Sequence, residues 1–147
     1  MKIYIGSDHA GYQLKEELKI FLNELGHTVE DFGNIRLEPE DDYPDFIKPV
    51  AEAVSRNPHA MGVILGGSGQ GEAIAANRYR HVRAAVWYGK NDKILTLSRE
   101  HNNANVLAIG ARFMDVEEAK RGVHLWLDTP YSHDFRHERR IAKIDEL

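Results

Sequence analysis

The residues best suited to chemistry in this chain lie between Met61 and Arg78, where an apolar run, a glycine loop and an alanine-rich segment follow one another. Gly66, Gly67, Gly69 and Gly71 fall within six positions and enclose Ser68, and Glu72 follows at once. Glycine lets backbone take positive φ and lets a ligand come close, and a helix beginning at Glu72 points unpaired N–H groups and a positive dipole end at the loop. Such a site favours an anion or a developing oxyanion. The loop matches neither the P-loop nor the dinucleotide fingerprint, lacking the Lys-Ser/Thr of the first and the wider final glycine spacing of the second. Tight strand-to-helix packing would also call for glycine. Ser68, a hydroxyl inside the loop, and Glu72, an ionisable group in the first helical turn, give the chemical reading its point.

Three other groups of residues could contribute. Asp8-His9 pairs a carboxylate with an imidazole directly after an apolar segment, where the pair could orient hydroxyls, bind phosphate, move protons or simply form a turn. His101-Asn102-Asn103-Ala104-Asn105 offers one imidazole and three amides, suited to a polyhydroxylated ligand and equally to turn formation. Arg136 and Arg140 are four apart and would share one helix face as a paired-guanidinium anion clamp or as a solvated basic surface. His133 and His137 have the same spacing, but no His-Glu-x-x-His pattern accompanies them, and no metal site is expected.

The elements that must position these residues follow from periodicity. Lys2 to Gly6 reads as a first strand, and Leu14, Leu18, Phe21, Leu22 and Leu25 recur at helical spacing until Gly26. His27 to Phe32 supplies a second strand, Gly33 to Tyr43 an acidic loop, and Pro44 opens a helix carrying Ile47, Val50, Ala51 and Val54. The run Met61, Val63, Ile64, Leu65 reads as a strand buried on both faces. Val82 to Tyr88 and Asn105 to Ile109 read as strands, with a helix over Asp92 to Glu100 between them. A helix over Val116 to Leu127 follows, with Glu117 and Glu118 in its first turn. From about residue 134 a basic helical tail closes the chain. Five strands alternating with helices imply one α/β domain over residues 1–147, its parallel sheet covered on both faces. In such sheets ligands bind beyond the carboxyl ends of the strands, so Ser7 to His9, Gly66 to Gly71 and the segment after the fourth strand all qualify for one cleft.

Composition narrows the partners. The chain has 147 residues, 42% hydrophobic and 29% charged, with a net charge of -4, which leaves no broad basic footprint for nucleic acid. It contains no cysteine, so a thiol nucleophile and thiolate-bound metal are excluded. No apolar stretch approaches the roughly 20 residues of a membrane span, and the first residues lack a signal-peptide pattern, so cytoplasmic residence is expected.

Taken together, Gly6-Ser7-Asp8-His9-Ala10-Gly11, Asp42-Tyr43-Pro44, Gly67-Ser68-Gly69-Gln70-Gly71 with Ile74-Ala75-Ala76-Asn77, His101 to Leu107, Gly110-Ala111-Arg112 and Arg136 to Arg140 are a specific ordered set. On them the chain resembles the type B ribose-5-phosphate isomerases, the family that also includes galactose-6-phosphate and allose-6-phosphate isomerases. The resemblance implies a Rossmann-like three-layer α/β/α sandwich and a homodimer with its active sites between subunits, in some members a tetramer. It implies the pentose phosphate pathway reaction that interconverts ribose 5-phosphate and ribulose 5-phosphate through a cis-enediolate, with no cofactor.

Residue by residue, the resemblance makes His9, Arg136 and Arg140 phosphate binders, with Arg112 contributed by the partner subunit. It assigns His101 to ring opening, Asp8 and Tyr43 to the ring oxygen and hydroxyls, Asn102 to the intermediate, and Gly67, Ser68, Gly69 and Gly71 to an oxyanion hole. Many members carry a cysteine as base just before the glycine loop, where this chain has Gly66. It looks like the branch with Gly-Gly-Ser-Gly-x-Gly-Glu, which makes Glu72 the base. A six-carbon sugar phosphate is the alternative substrate, and a non-catalytic nucleotide-binding module the alternative of a different class.

Overall fold

The computed structural model describes residues 1–147 as one five-stranded parallel sheet with helices on both faces. In chain order the elements are β1 (Lys2–Ser7), α1 (Tyr12–Glu24), β2 (Thr28–Asp31), α2 (Pro44–Arg56), β3 (Met61–Gly66), α3 (Gln70–Ala76), β4 (Ala84–Trp87), α4 (Asp92–Asn102), β5 (Val106–Gly110), α5 (Val116–Asp128) and α6 (Phe135–Asp145). The strand order is β2-β1-β3-β5-β4, and every pairing is parallel. The α/β sandwich expected from the alternating pattern is therefore the fold, and no helix is long and apolar enough to cross a membrane.

Burial follows strand position. β3 and β5 lie inside the sheet and are buried at every residue, as their unbroken apolar runs require, while the edge strand β2 alternates exposed and half-buried residues. One core layer joins Leu14, Leu18 and Leu22 of α1, Leu95 of α4 and Val123 and Trp126 of α5 to Ile3, Ile5, Val63, Leu65 and Leu107. The other joins Ile47, Val50 and Val54 of α2 and Ala73 and Ala76 of α3 to Ile64, Val106 and Ala108. Neighbouring residues of β3 and β5 alternate between the two layers, so the same two strands anchor both.

Some boundaries differ from those the sequence suggests. α3 begins at Gln70 rather than Glu72, because Gly69 adopts φ 77° and caps it in the left-handed region, which glycine enters without a Cβ penalty. α4 continues past Glu100 to Asn102 and stops at Asn103, which takes φ 44° and ψ 44°. His101 and Asn102 thus sit on a helix end and not in a loop. Lys15 is fully buried on α1, where its Nζ lies 2.5 Å from Asp31 and 2.9 Å from Glu16. A second cation, Lys19, lies 2.7 Å from Asp31, so this network ties the first helix to the edge strand β2.

Candidate active site

The chain leaves β1 for one side of the sheet and β3 for the other, which opens a crevice beyond their carboxyl ends. A cavity of about 360 Å³ lies there, lined by Asp8, His9, Ala10, Tyr43, Gly67, Ser68, Gly71, Glu72 and Arg112. Asp8 is 7% exposed, and its carboxylate accepts the N–H groups of Ala10 at 3.0 Å and Gly11 at 3.3 Å, which pins the turn that follows β1. The loop holding Tyr43 is brought over the cavity by α2, and the Tyr43 ring packs on Gly71 closely enough that a Cβ at 71 would stand 2.7 Å from it.

The glycine loop is built as an anion or oxyanion cradle. The N–H groups of Gly67, Ser68, Gly69 and Gly71 meet no backbone acceptor, and within the loop only Gln70 N–H is turned inward, to Ser68 Oγ at 3.3 Å. Glu72 lies within the first turn of α3 and is 4% exposed. Its carboxylate reaches back over Gly66: a Cβ at position 66 would fall 1.8 Å from Oε1 and 2.1 Å from Cδ. Burial pushes the Glu72 pKa above its ordinary 4.5, its own backbone N–H opposes this, and the nearby Asp8 charge adds to the rise. A buried carboxylate of raised basicity beside unpaired donors is an arrangement for taking a proton from carbon and holding the oxyanion that results.

Asp41, in the middle of the acidic loop before α2, turns into this site. Its Oδ1 lies 2.7 Å from His9 Nδ1 and 3.1 Å from His9 N, while Oδ2 accepts from Asn34 Nδ2 at 3.2 Å. The signal was weak, because Glu40-Asp41-Asp42 reads as a solvated acidic run and nothing in it marks the middle residue as the inward one.

Asp8, His9, Tyr43, Gly67, Ser68, Gly71, Glu72 and Arg112 thus share one cavity, with Gly69 buried beneath the loop. The expectation that Arg112 comes from a partner subunit is corrected, because its N–H donates to Gly67 O at 3.2 Å in the same chain. A Cβ at Gly67 would stand 3.0 Å from its guanidinium, so Arg112 folds directly over the loop. The remaining expected residues are not there. His101 and Asn102 end α4 just before β5 starts, at the amino ends of the strands, roughly a strand length or about 15–20 Å from the cavity at their carboxyl ends. α6 packs beside them, with His137 stacked on His101, and leaves Arg136 and Arg140 exposed. Two clusters of polar residues therefore sit at opposite ends of the strands.

Comparison with known proteins gives this geometry a context. A sequence model of the family described as Ribose/Galactose Isomerase matches residues 3–144. Ribose-5-phosphate isomerase B of Mycobacterium tuberculosis is 42% identical over 146 residues, covering 99% of this chain and 89% of that protein. The Escherichia coli protein of the same name is 39% identical, with 99% and 95% covered. Among solved structures, a ribose 5-phosphate isomerase from Thermotoga maritima superposes with a TM-score of 0.92 at 44% identity, covering 99% and 98% of the two chains. Ribose-5-phosphate isomerase B from Mycoplasma genitalium, solved with bound ribulose-5-phosphate, gives a TM-score of 0.93 at 36% identity, with 99% and 94% covered.

Proposed function

Since the chain belongs to the Ribose/Galactose Isomerase family, we propose that it is an aldose-ketose isomerase that interconverts D-ribose 5-phosphate and D-ribulose 5-phosphate. The observation that carries the reading is the buried Glu72 carboxylate held over Gly66 beside unpaired loop N–H groups. Moving a proton between C1 and C2 requires one base that can reach both carbons and donors aimed at the oxygen that becomes the enediolate. Glu72 takes the C2 proton and returns it to C1, while the proton of the C2 hydroxyl passes to the C1 oxygen and leaves the ketone at C2. The N–H groups of Gly67, Ser68, Gly69 and Gly71, with the Ser68 hydroxyl, receive the charge that develops on oxygen.

The distal cluster enters from a second copy of the chain. His101 opens the furanose ring, Asn102 holds the enediolate, and Arg136 and Arg140 join His9 and Arg112 on the phosphate. Asp8 and Tyr43 hold the ring oxygen and hydroxyls. The separation of the two clusters within one chain supports a homodimer with its sites between subunits, because no conformational change short of unfolding carries the end of α4 to the carboxyl ends of its own strands. Pairs of such dimers forming a tetramer are the next level of the same reading. The phosphorylated substrate places the work in the cytoplasm, where charged sugars are retained.

Steady-state kinetics with ribose 5-phosphate, allose 6-phosphate and galactose 6-phosphate test the assignment. The highest kcat/KM on ribose 5-phosphate is the expected result. Preference for a six-carbon substrate replaces the pentose, and no turnover of any of the three overturns the activity. Calorimetry with ATP on the same preparation covers the nucleotide-binding alternative.

A further inference from the structure

We infer that Asp41 is a positioning residue for His9: it holds the imidazole with its proton on Nδ1, so that Nε2 faces the cavity and gives the substrate phosphate a charge-assisted donor once it is protonated. The inference rests on the reading of the cavity as a sugar-phosphate site. The geometry leaves the ring little choice. Nδ1 is 2.7 Å from Asp41 Oδ1, and the same oxygen accepts His9 N–H at 3.1 Å, so ring and backbone are gripped by one atom. The other oxygen is held by Asn34 Nδ2 at 3.2 Å. Asn34 is itself 8% exposed and donates its N–H to Ser7 O at 2.6 Å, the last residue of β1. The chain of contacts runs from the sheet through Asn34 and Asp41 to the imidazole.

The Asp41 side chain is 5% exposed. Burial by itself would raise its pKa, but hydrogen bonds from the His9 ring, the His9 backbone and Asn34 hold it below the ordinary carboxylate value. It is therefore an ionised group that can only accept, and Nδ1 must donate. The other charged groups around the ring are Asp8, whose Oδ2 is 3.9 Å from Nδ1, and Glu72 and Arg112, which line the same cavity. The Asp41 and Asp8 carboxylates both lie on the Nδ1 side of the imidazole, which leaves Nε2 as the ring atom free to meet a ligand. A bare Nε2 would present a lone pair to the dianionic phosphate monoester of a sugar phosphate, which offers only lone pairs, so that contact needs Nε2 to carry a proton.

The test is ¹⁵N NMR of the His9 ring in the full-length protein, with inorganic phosphate as the probe, in wild type and in Asp41→Asn. In the free wild type the neutral ring is expected as the Nδ1–H tautomer, and saturating phosphate converts it to the doubly protonated form. In Asp41→Asn the tautomers mix, bound phosphate selects the neutral Nε2–H form, and phosphate affinity falls about tenfold with the loss of charge assistance. On ribose 5-phosphate the variant raises KM by a similar factor and leaves kcat within about twofold. An Nε2–H tautomer in the free wild type overturns the inference without any variant, and so do identical His9 spectra in the two proteins. If phosphate perturbs His9 in neither protein while the free tautomer is as stated, the fault lies in the sugar-phosphate reading of the cavity and not in the role of Asp41 within the ring's geometry.

Discussion

The imidazole rings of His101 and His137 stack with centroids 4.2 Å apart and planes 18° from parallel, joining the end of α4 to the middle of the first turns of α6. Burial, followed by repulsion from His101 and Arg136, keeps the His137 pKa below its ordinary 6.5. His137 therefore stays neutral to lower pH than a free imidazole, stacked against the ring assigned to sugar-ring opening.

That assignment predicts a substrate-dependent defect. His101→Asn should cut turnover of ribose 5-phosphate by roughly 10²- to 10⁴-fold, the usual worth of a lost acid-base group. An aldose phosphate too short to close a furanose ring should be turned over nearly as well as by wild type. Equal losses on both would move His101 into the proton transfer itself.

A composite site also predicts rescue between inactive proteins. Glu72→Gln disables the cavity half and His101→Asn the distal half, so a dimer containing one of each holds one site with both residues intact. Refolding the two variants together in equal amounts should restore about a quarter of wild-type activity, the share of intact sites after random pairing into closed dimers. Persistent inactivity of mixed dimers, isolated with two affinity tags, would show that each chain works alone.

Glu72 carries a prediction about pH in both rate and stability. Its pKa is raised in the fold, so the acid limb of kcat/KM should lie above 4.5. By linkage, a raised carboxyl pKa gives stability that is fully present below 4.5 and is lost as pH rises through the raised value. Glu72→Gln should accordingly unfold at higher denaturant concentration than wild type at neutral pH, with the two curves converging in acid. Its kcat should fall roughly 10²- to 10⁴-fold, and solvent deuterium should no longer enter at C2. A variant less stable than wild type at neutral pH contradicts the burial argument even if activity is lost.

Gly66→Ala tests the space the carboxylate occupies. The added methyl would sit 1.8 Å from Glu72 Oε1, so the side chain must swing out of its place over the strand end. Activity should drop at least tenfold with thermal stability changed by only a few degrees, because the displaced group is the end of a flexible side chain and not backbone. Wild-type kinetics in Gly66→Ala would mean that Glu72 works from another position.

Much of this was legible in residue order. The runs at Met61–Leu65 and Val106–Ile109 could only be strands buried on both faces, and the motifs that follow β1 and β3 had to share one crevice once the sheet was parallel. What stayed hidden depends on contacts distant in sequence. Nothing marks Lys15 as buried until Asp31 and Glu16 close around it, and a lysine between Leu14 and Leu18 reads as a surface position. Asp41 is one acid among several until the loop folds back onto His9. The resemblance implies Arg112 from another subunit, and its position over the loop of its own chain follows from the β3–β5 pairing, which no local pattern reveals. The extension of α4 through His101 and Asn102 turns on Asn103 accepting a left-handed conformation, which an amide-rich stretch permits without demanding.

The closeness of Gly66 and Glu72 also constrains how such a site can change over generations. A side chain at position 66, at the strand end, and the Glu72 carboxylate, at the helix start, claim the same volume. A chain cannot hold both in working position, so the two solutions cannot be joined by adding the second base before discarding the first. Any lineage that crosses between them must pass through a sequence in which one residue has been shortened before the other has grown, and selection meets that sequence with its proton acceptor missing or misplaced. Moving the acceptor from one position to the other is therefore a change of two residues whose intermediate has no acceptor in place.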